Sequence, residues 1–216
     1  MPPPEPRHRA RRAHVEAAEQ LSSVDPVLAR FIDEYGPPRL RPRARTEERF
    51  ATLARAICYQ QLAGKAAAAI HGRFLALYDG SVPTAQAVLA TPVDTLRACG
   101  LSAAKTASIL DLAERVATGD VDLARAGRWS DDHTVEELTK VRGIGPWTAQ
   151  MFLIFDMHRL DVWPTLDFGV RNGYHLLYGM PGLPTAKEME PLGDRFRPYR
   201  SVAAWYFWRA TDTRTP

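Results

Sequence analysis

The chain has 216 residues, 45% of them apolar, and 28 Lys and Arg against 25 Asp and Glu give a net charge of +3. This length holds one domain or two small ones with a buried core, and no apolar run approaches the roughly 18 residues of a membrane span. The Pro/Arg-rich start lacks the apolar stretch of a signal peptide, and Cys58 and Cys99 have no metal-ligand spacing, so an intracellular protein with two small buried thiols and no disulfide is expected.

Residues 1–45 hold nine Arg, no Lys and six acids, which accounts for the whole net charge. Arg7, Arg9, Arg11, Arg12, Arg39, Arg41, Arg43 and Arg45, mixed with eight prolines, fit either phosphate contacts or a solvated, partly disordered tail. Residues 13–35 are expected to form one or two helices packed on the C-terminal part. Residues 46–49 read as a helix start, and Phe50, Leu53, Ala54, Ile57 and Cys58 recur on one face. A second helix follows over 66–77. Thr84, Thr91 and Ser102 then introduce short helices near 84–90 and 92–99 and a longer one over 103–118. Asp131 or Asp132 starts the next helix. Further helices are expected over 146–155, 168–177, 185–196 and 202–208. No segment alternates apolar and polar residues long enough for a sheet, and no repeat is visible, so the fold class is all-α.

The run Leu138-Thr139-Lys140-Val141-Arg142-Gly143-Ile144-Gly145-Pro146-Trp147-Thr148-Ala149, with Asp167 twenty residues beyond it, is the most informative feature. Gly143 and Gly145 free the backbone for positive φ and for close approach of a ligand. Pro146 suits the first position of a helix. Helix, tight hairpin and helix then aim amides and a positive helix end outward, a nest for one nucleic-acid phosphate. His8, His14, His71, His133, His158 and His175 form no ligand or nucleophile pattern, which argues against a metallohydrolase. No Gly-rich triphosphate loop is present.

The hairpin run, followed by Pro164-Thr165-Leu166-Asp167-Phe168-Gly169-Val170, resembles the helix-hairpin-helix DNA glycosylase superfamily, and most closely its 3-methyladenine DNA glycosylase II branch. The likeness runs from about Phe50 to Trp208 and includes Ile57-Cys58-Tyr59-Gln60-Gln61-Leu62-Ala63-Gly64-Lys65-Ala66, Gly100-Leu101-Ser102-Ala103-Ala104-Lys105 and Arg197-Pro198-Tyr199-Arg200-Ser201. It implies two helical lobes around a DNA-binding cleft. The expected division is a 1–45 segment, partly helical and packed on the C-terminal lobe, a middle lobe of about 50–130, and a hairpin and catalytic lobe of about 131–216. The extra N-terminal α/β domain of larger relatives is not expected.

The resemblance also implies roles. Asp167 is the expected catalytic carboxylate, offsetting oxocarbenium charge as a base leaves, although an Asp before a helix is equally suited to capping. Asp161 and Asp156 are expected to be structural. Relatives that also cut the backbone carry a lysine where this chain has Trp147, so a monofunctional glycosylase without lyase activity is expected, and Lys105 and Lys140 are read as phosphate or surface lysines. Trp147, Met151, Phe168 and Trp208 are the expected base-pocket residues. Electron-rich rings favour cationic alkylpurines, while Met151 stands where a relative has tyrosine. Gln61, with Leu62 beside it, is the expected inserted side chain, with Leu62 as core and Gln60 as a helix-end hydrogen-bonder the alternative. Gly64, Lys65, Gly143, Gly145 and Thr148 are expected at the DNA backbone. Main-chain carbonyls of Thr139, Val141 and Ile144 are the expected holders of a monovalent cation, Na+ or K+. No other cofactor is implied, and two cysteines are too few for the iron-sulfur cluster of some relatives.

The partner implied is duplex DNA with alkylated bases, with no membrane, and the protein is expected to be a monomer, cytoplasmic in a bacterium or nuclear in a eukaryote. Two other readings are a same-fold glycosylase for uracil, hypoxanthine or mismatched bases, and a non-catalytic DNA-binding module.

Overall fold

Several helix starts are written into the chain by side chains that accept the first free amides, as the computed structural model shows, which describes residues 6–38 and 45–214. Its helices are α1 (Pro6–Val24), α2 (Pro26–Tyr35), α3 (Arg49–Tyr59), α4 (Gly64–Ala76), α5 (Ala85–Leu89), α6 (Val93–Ala98), α7 (Ala103–Thr118), α8 (Asp131–Thr139), α9 (Pro146–Met151), α10 (Phe168–Tyr178), α11 (Ala186–Leu192) and α12 (Arg200–Arg214). The described residues contain no strand, as an all-α protein requires. Thr84, Ser102, Ser130 and Thr185 each cap the helix that follows; Ser130, rather than either aspartate after it, starts α8.

The chain divides into two packed units, one of Met1–Arg43 with Leu153–Pro216 and the other of Ala44–Phe152. In the first, α1 and α2 pack on α12, and Ala17, Leu21, Leu28 and Phe31 enter one core with Val170, Tyr174, Phe196 and Phe207. The Tyr178 hydroxyl donates to Asp25, which also caps α2, and Tyr206 donates to the Gly36 carbonyl. Helices α10 and α12 cross closely because Gly173 has no side chain; a Cβ there would overlap the Phe207 carbonyl. Of the N-terminal arginines, Arg39, Arg41 and Arg43, and the side chains of Arg7, Arg9 and Arg11, lie outside the described residues.

In the second unit, α3, α5 and α7 pack together and α8 meets α9 through the hairpin. The hairpin was expected to group with Asp167, but residues 131–152 belong to this unit, because α7 and the end of α3 hold the turn through the contacts described below. Cys58 and Cys99 are both free and buried, and burial pushes the Cys58 thiol up to about 11.

Three helices depart from the expected bounds. The helix after the hairpin turns π-helical over Phe152–Asp156. That widening keeps Phe152, Leu153 and Ile154 buried while Phe155 emerges to meet Trp208. The helix expected over 185–196 stops at Leu192 and resumes as a 3-10 turn over Asp194–Phe196, because Gly193 lies flat against Trp163, its missing Cβ only 2.5 Å from the indole nitrogen. The last helix begins at Arg200 and runs to Arg214. The Asp161 carboxylate, from a distant segment, accepts the Arg200 amide, and the Thr211 hydroxyl ties the later turns to the Gly169 carbonyl. Among the described residues no helix is long and apolar enough to cross a membrane.

Candidate functional site

Trp163-Pro164 cannot continue a helix, and the chain makes two tight turns, with the Thr165 amide on the Trp163 carbonyl and the Asp167 amide on the Pro164 carbonyl. This delivers Asp167 to the N-cap of α10 with extended backbone. Its Oδ1 accepts the Val170 amide at 2.9 Å, so the capping role is real. The same oxygen accepts the Trp208 indole N–H at 2.8 Å. Two donors and the positive end of α10 therefore hold one edge of a carboxylate that is only 8% exposed. Capping and a chemical role are combined in one orientation.

Trp208 reaches this position because Gly169 lies beneath it. A Cβ on Gly169 would stand 2.7 Å from Trp208 Cδ1 and 3.2 Å from Asp167 Oδ1. Phe155 packs on the indole at 5.2 Å between centroids. Leu166 and Phe168, flanking Asp167, are 53% and 60% exposed. An oriented carboxylate amid exposed apolar side chains suits a flat apolar ligand with a reacting centre. Sequence reading anticipated Trp208 as a pocket wall but not as a donor to Asp167, and it missed Phe155 and Gly169. Only the aromatic and glycine content of those segments hinted at either.

The Arg197-Pro198-Tyr199-Arg200-Ser201 run clamps the strand-like entry to Asp167. Arg200 forks onto Asp161 through Nε at 2.8 Å and Nη2 at 3.1 Å, and Arg197 adds a bond at 2.9 Å. The Ser201 hydroxyl accepts the Val162 amide at 2.9 Å. Asp161 is thereby structural, as expected.

In the other unit, the hairpin departs from expectation at one glycine. Gly143 has φ +76°, and a Cβ there would lie 2.5 Å from Ser108 Oγ. Gly145 has φ −96° and ψ 174°, a conformation open to any residue, and its Cβ would touch nothing in the protein. Its smallness serves the outer face of the turn, not its geometry. The Arg142 amide is held by Asp111 Oδ2 at 2.7 Å. Among the described residues no acceptor takes the Gly143 or Gly145 amides, and α9 begins at Pro146 with no side-chain cap, as an anion site requires. Ser108 and Asp111, the supports on α7, have no local sequence signal. Thr148, expected at the DNA backbone, is buried, and its hydroxyl accepts from Gln60 Nε2 at 3.3 Å.

Trp147 is 41% exposed on the first turn of α9, with half-buried Met151 one turn on along the same face. Gln61 and Leu62 are exposed, Leu62 at 40%, so Leu62 is not core. Gln60 caps the end of α3 and donates to the Gly143 carbonyl. Gly64 and Lys65 open α4, which also lacks a side-chain cap. Lys105 corrects the reading of it as a surface or phosphate lysine: its ammonium donates to the Cys58 carbonyl at 2.8 Å, and burial holds it below the usual lysine range. Lys140 pairs on the surface with Glu137. The Val141 carbonyl accepts the Ile144 amide at 3.1 Å, leaving a second lone pair.

A glycine-proline hairpin joins α8 to α9, the helix-hairpin-helix arrangement, and a carboxylate caps the later helix α10. The chain belongs to the HhH-GPD superfamily of base excision DNA repair proteins, whose family model matches residues 54–198. It is 35% identical to DNA-3-methyladenine glycosylase 1 of Schizosaccharomyces pombe over 198 residues, covering 91% of this chain and 87% of that protein. The structure of the S. pombe 3-methyladenine DNA glycosylase in complex with abasic DNA matches with a TM-score of 0.81 and 36% identity, over 90% of this chain and 95% of that one. A DNA-3-methyladenine glycosidase from Bacillus halodurans matches with a TM-score of 0.82 and 32% identity, over 91% and 89%.

Proposed function

We propose that this protein is a monofunctional DNA glycosylase that flips alkylated purines of the 3-methyladenine and 7-methylguanine type out of duplex DNA and hydrolyses their N-glycosidic bonds, leaving an abasic site for base excision repair. The observation that carries the chemistry is the buried Asp167 carboxylate, oriented by the Val170 amide and the Trp208 indole. The similarity to 3-methyladenine glycosylases supports the substrate class.

The steps follow from the residues. The Gly143 and Gly145 amides and the α9 N-terminus hold a backbone phosphate, and Gly64 and Lys65 at the start of α4 hold another. Gln61 and Leu62, exposed at the end of α3, fill the gap left by the extruded base, whose removal from the stack costs a few kcal/mol. Asp167 stabilises positive charge on the sugar as the C1'–N bond breaks; water then attacks C1'. Relatives that also cut the backbone carry a lysine at the motif position of Trp147, and an indole has no amine to form a Schiff base, so no covalent enzyme intermediate is expected. A cationic alkylpurine is already a good leaving group, and an exposed electron-rich ring such as Trp147 favours it by stacking and cation-π attraction worth about 0.5 to 2 kcal/mol. A Na+ or K+ ion suits the all-carbonyl set of Thr139, Val141 and Ile144, where it would add positive charge behind the hairpin amides.

Incubating the protein with duplexes carrying 7-methylguanine, 3-methyladenine, uracil or hypoxanthine and measuring free base tests this reading. Release of the methylated purines is expected to dominate. Release of uracil alone, or of no base at all, refutes it.

A further inference from the structure

We propose that Gln60 is a positioning residue that couples the inserted turn to the phosphate-binding hairpin, so that gripping the backbone and holding the base out of the stack become one mechanical event. This inference rests on the base-flipping reading above.

The turn after α3 is poorly held by its own backbone. The Gln60 amide reaches the Ile57 carbonyl only at 3.4 Å, and Gln61 adopts φ +54°, a left-handed conformation that side-chain-bearing residues seldom take. Gln61 and Leu62 project outward from this turn with no core to steady them. Two side chains supply the missing support. Lys105 holds the last turn of α3 through the Cys58 carbonyl at 2.8 Å. Gln60 faces the hairpin, and its Nε2 donates to the Gly143 carbonyl at 2.9 Å and to Thr148 Oγ1 at 3.3 Å.

These acceptors are informative. Gly143 is the hairpin residue whose φ of +76° sets the turn, and Thr148 is a buried residue of α9, the helix whose uncapped N-terminus is assigned to a phosphate in the reading above. One amide group thus bridges both halves of the anion site, from a residue adjacent in sequence to the side chain that enters the duplex. A hairpin seated on its phosphate fixes the Gly143 carbonyl, which fixes Gln60, which fixes Gln61. Without that link the inserted turn and the hairpin would bind DNA independently, and the flipped state would lose its reinforcement.

The test compares wild type with Gln60→Leu, which keeps bulk without donors, and with Gln60→Glu, which keeps shape without N–H groups at neutral pH. Single-turnover release of 7-methylguanine is measured at saturating enzyme from a fully paired duplex and from the same lesion in an unpaired bulge, where extrusion is already largely accomplished. A 2-aminopurine beside the lesion reports unstacking directly. Both variants are expected to slow release from the paired duplex by about tenfold, the scale of one or two modest hydrogen bonds lost from the flipped state, and to lower the 2-aminopurine signal. Release from the bulge should fall by less than about twofold. A merely structural role would slow both substrates alike. Equal losses, or unchanged release from the paired duplex, overturn the coupling. If Gln60→Leu does not fold, Gln60→Glu alone decides by the same comparison. Wild-type protein that releases no methylated base from either substrate refutes the glycosylase reading, whereas an active wild type whose paired-to-bulged ratio is insensitive to Gln60 refutes only this inference.

Discussion

Trp208→Phe separates two accounts of the indole. The phenyl ring keeps aromatic bulk against Phe155, 5.2 Å away between centroids, but it has no N–H to give Asp167 Oδ1 at 2.8 Å. A hydrogen bond to a charged acceptor contributes about 1.5 to 3 kcal/mol, so its loss from a carboxylate that must be aligned in the transition state corresponds to about tenfold to 150-fold in rate. The Val170 amide still holds the same oxygen, which keeps α10 capped and the fold intact. The assay is single-turnover base release at saturating enzyme on 7-methylguanine and on hypoxanthine duplexes, with DNA affinity measured in parallel. Both rates are expected to fall by the same factor, because the bond acts on the carboxylate and not on the base, and affinity should hold. In an Asp167→Asn background the Phe substitution should cost much less, since the charge it orients is gone. If Trp208→Phe keeps full activity while Trp208→Leu loses the cationic substrate selectively, Trp208 acts as a base-recognising ring and the orientation argument is wrong.

Gly169→Ala should reproduce most of the Trp208→Phe defect, because its Cβ would displace an indole atom 2.7 Å away; normal activity with an unmoved indole in a crystal structure would contradict this. Gly143→Ala should lower the thermal midpoint, since a left-handed φ of +76° costs an L-residue about 1 to 2 kcal/mol and its Cβ meets Ser108. Gly145→Ala should leave stability unchanged and weaken binding to duplex DNA of any sequence; calorimetry and an affinity measurement separate the pair, and unchanged affinity in Gly145→Ala rules out the close phosphate approach. Borohydride added during turnover should trap no protein–DNA adduct, and a trapped band that disappears in Lys105→Arg would identify an amine nucleophile.

Much of this architecture is legible locally. Ser102 and Thr84 accept amides three residues on, and the helices they start were readable from those side chains, whereas Thr91, read the same way, does not cap α6, which begins behind Pro92 with no side-chain cap. Asp167 was legible for a similar reason, standing after Trp163-Pro164 and before a helix. What escaped reading is non-local. The Arg200 amide, at the start of α12, is received by Asp161, 39 residues away. Gln60 reaches Gly143 across 83 residues, Arg142 reaches Asp111 across 31, and Trp208 reaches Asp167 across 41. Gly145 shows the limit of motif reading in the other direction, since two glycines two residues apart suggest the same backbone need, yet only Gly143 takes positive φ. Lys105 likewise has the composition of a DNA-contacting lysine and spends its ammonium on a helix end.

The central claim, that the Asp167 carboxylate drives base release, is tested most directly by the single-turnover rate of Asp167→Asn on duplex 7-methylguanine. Asparagine keeps a side-chain oxygen able to accept from both Val170 and Trp208, and it caps helices about as well as aspartate, so fold and DNA affinity should be retained. Only the negative charge is removed. The rate is expected to fall at least about a hundredfold, roughly 3 kcal/mol of lost charge stabilisation. A folded, DNA-binding Asp167→Asn protein that releases 7-methylguanine at a rate near that of the wild type would contradict the account.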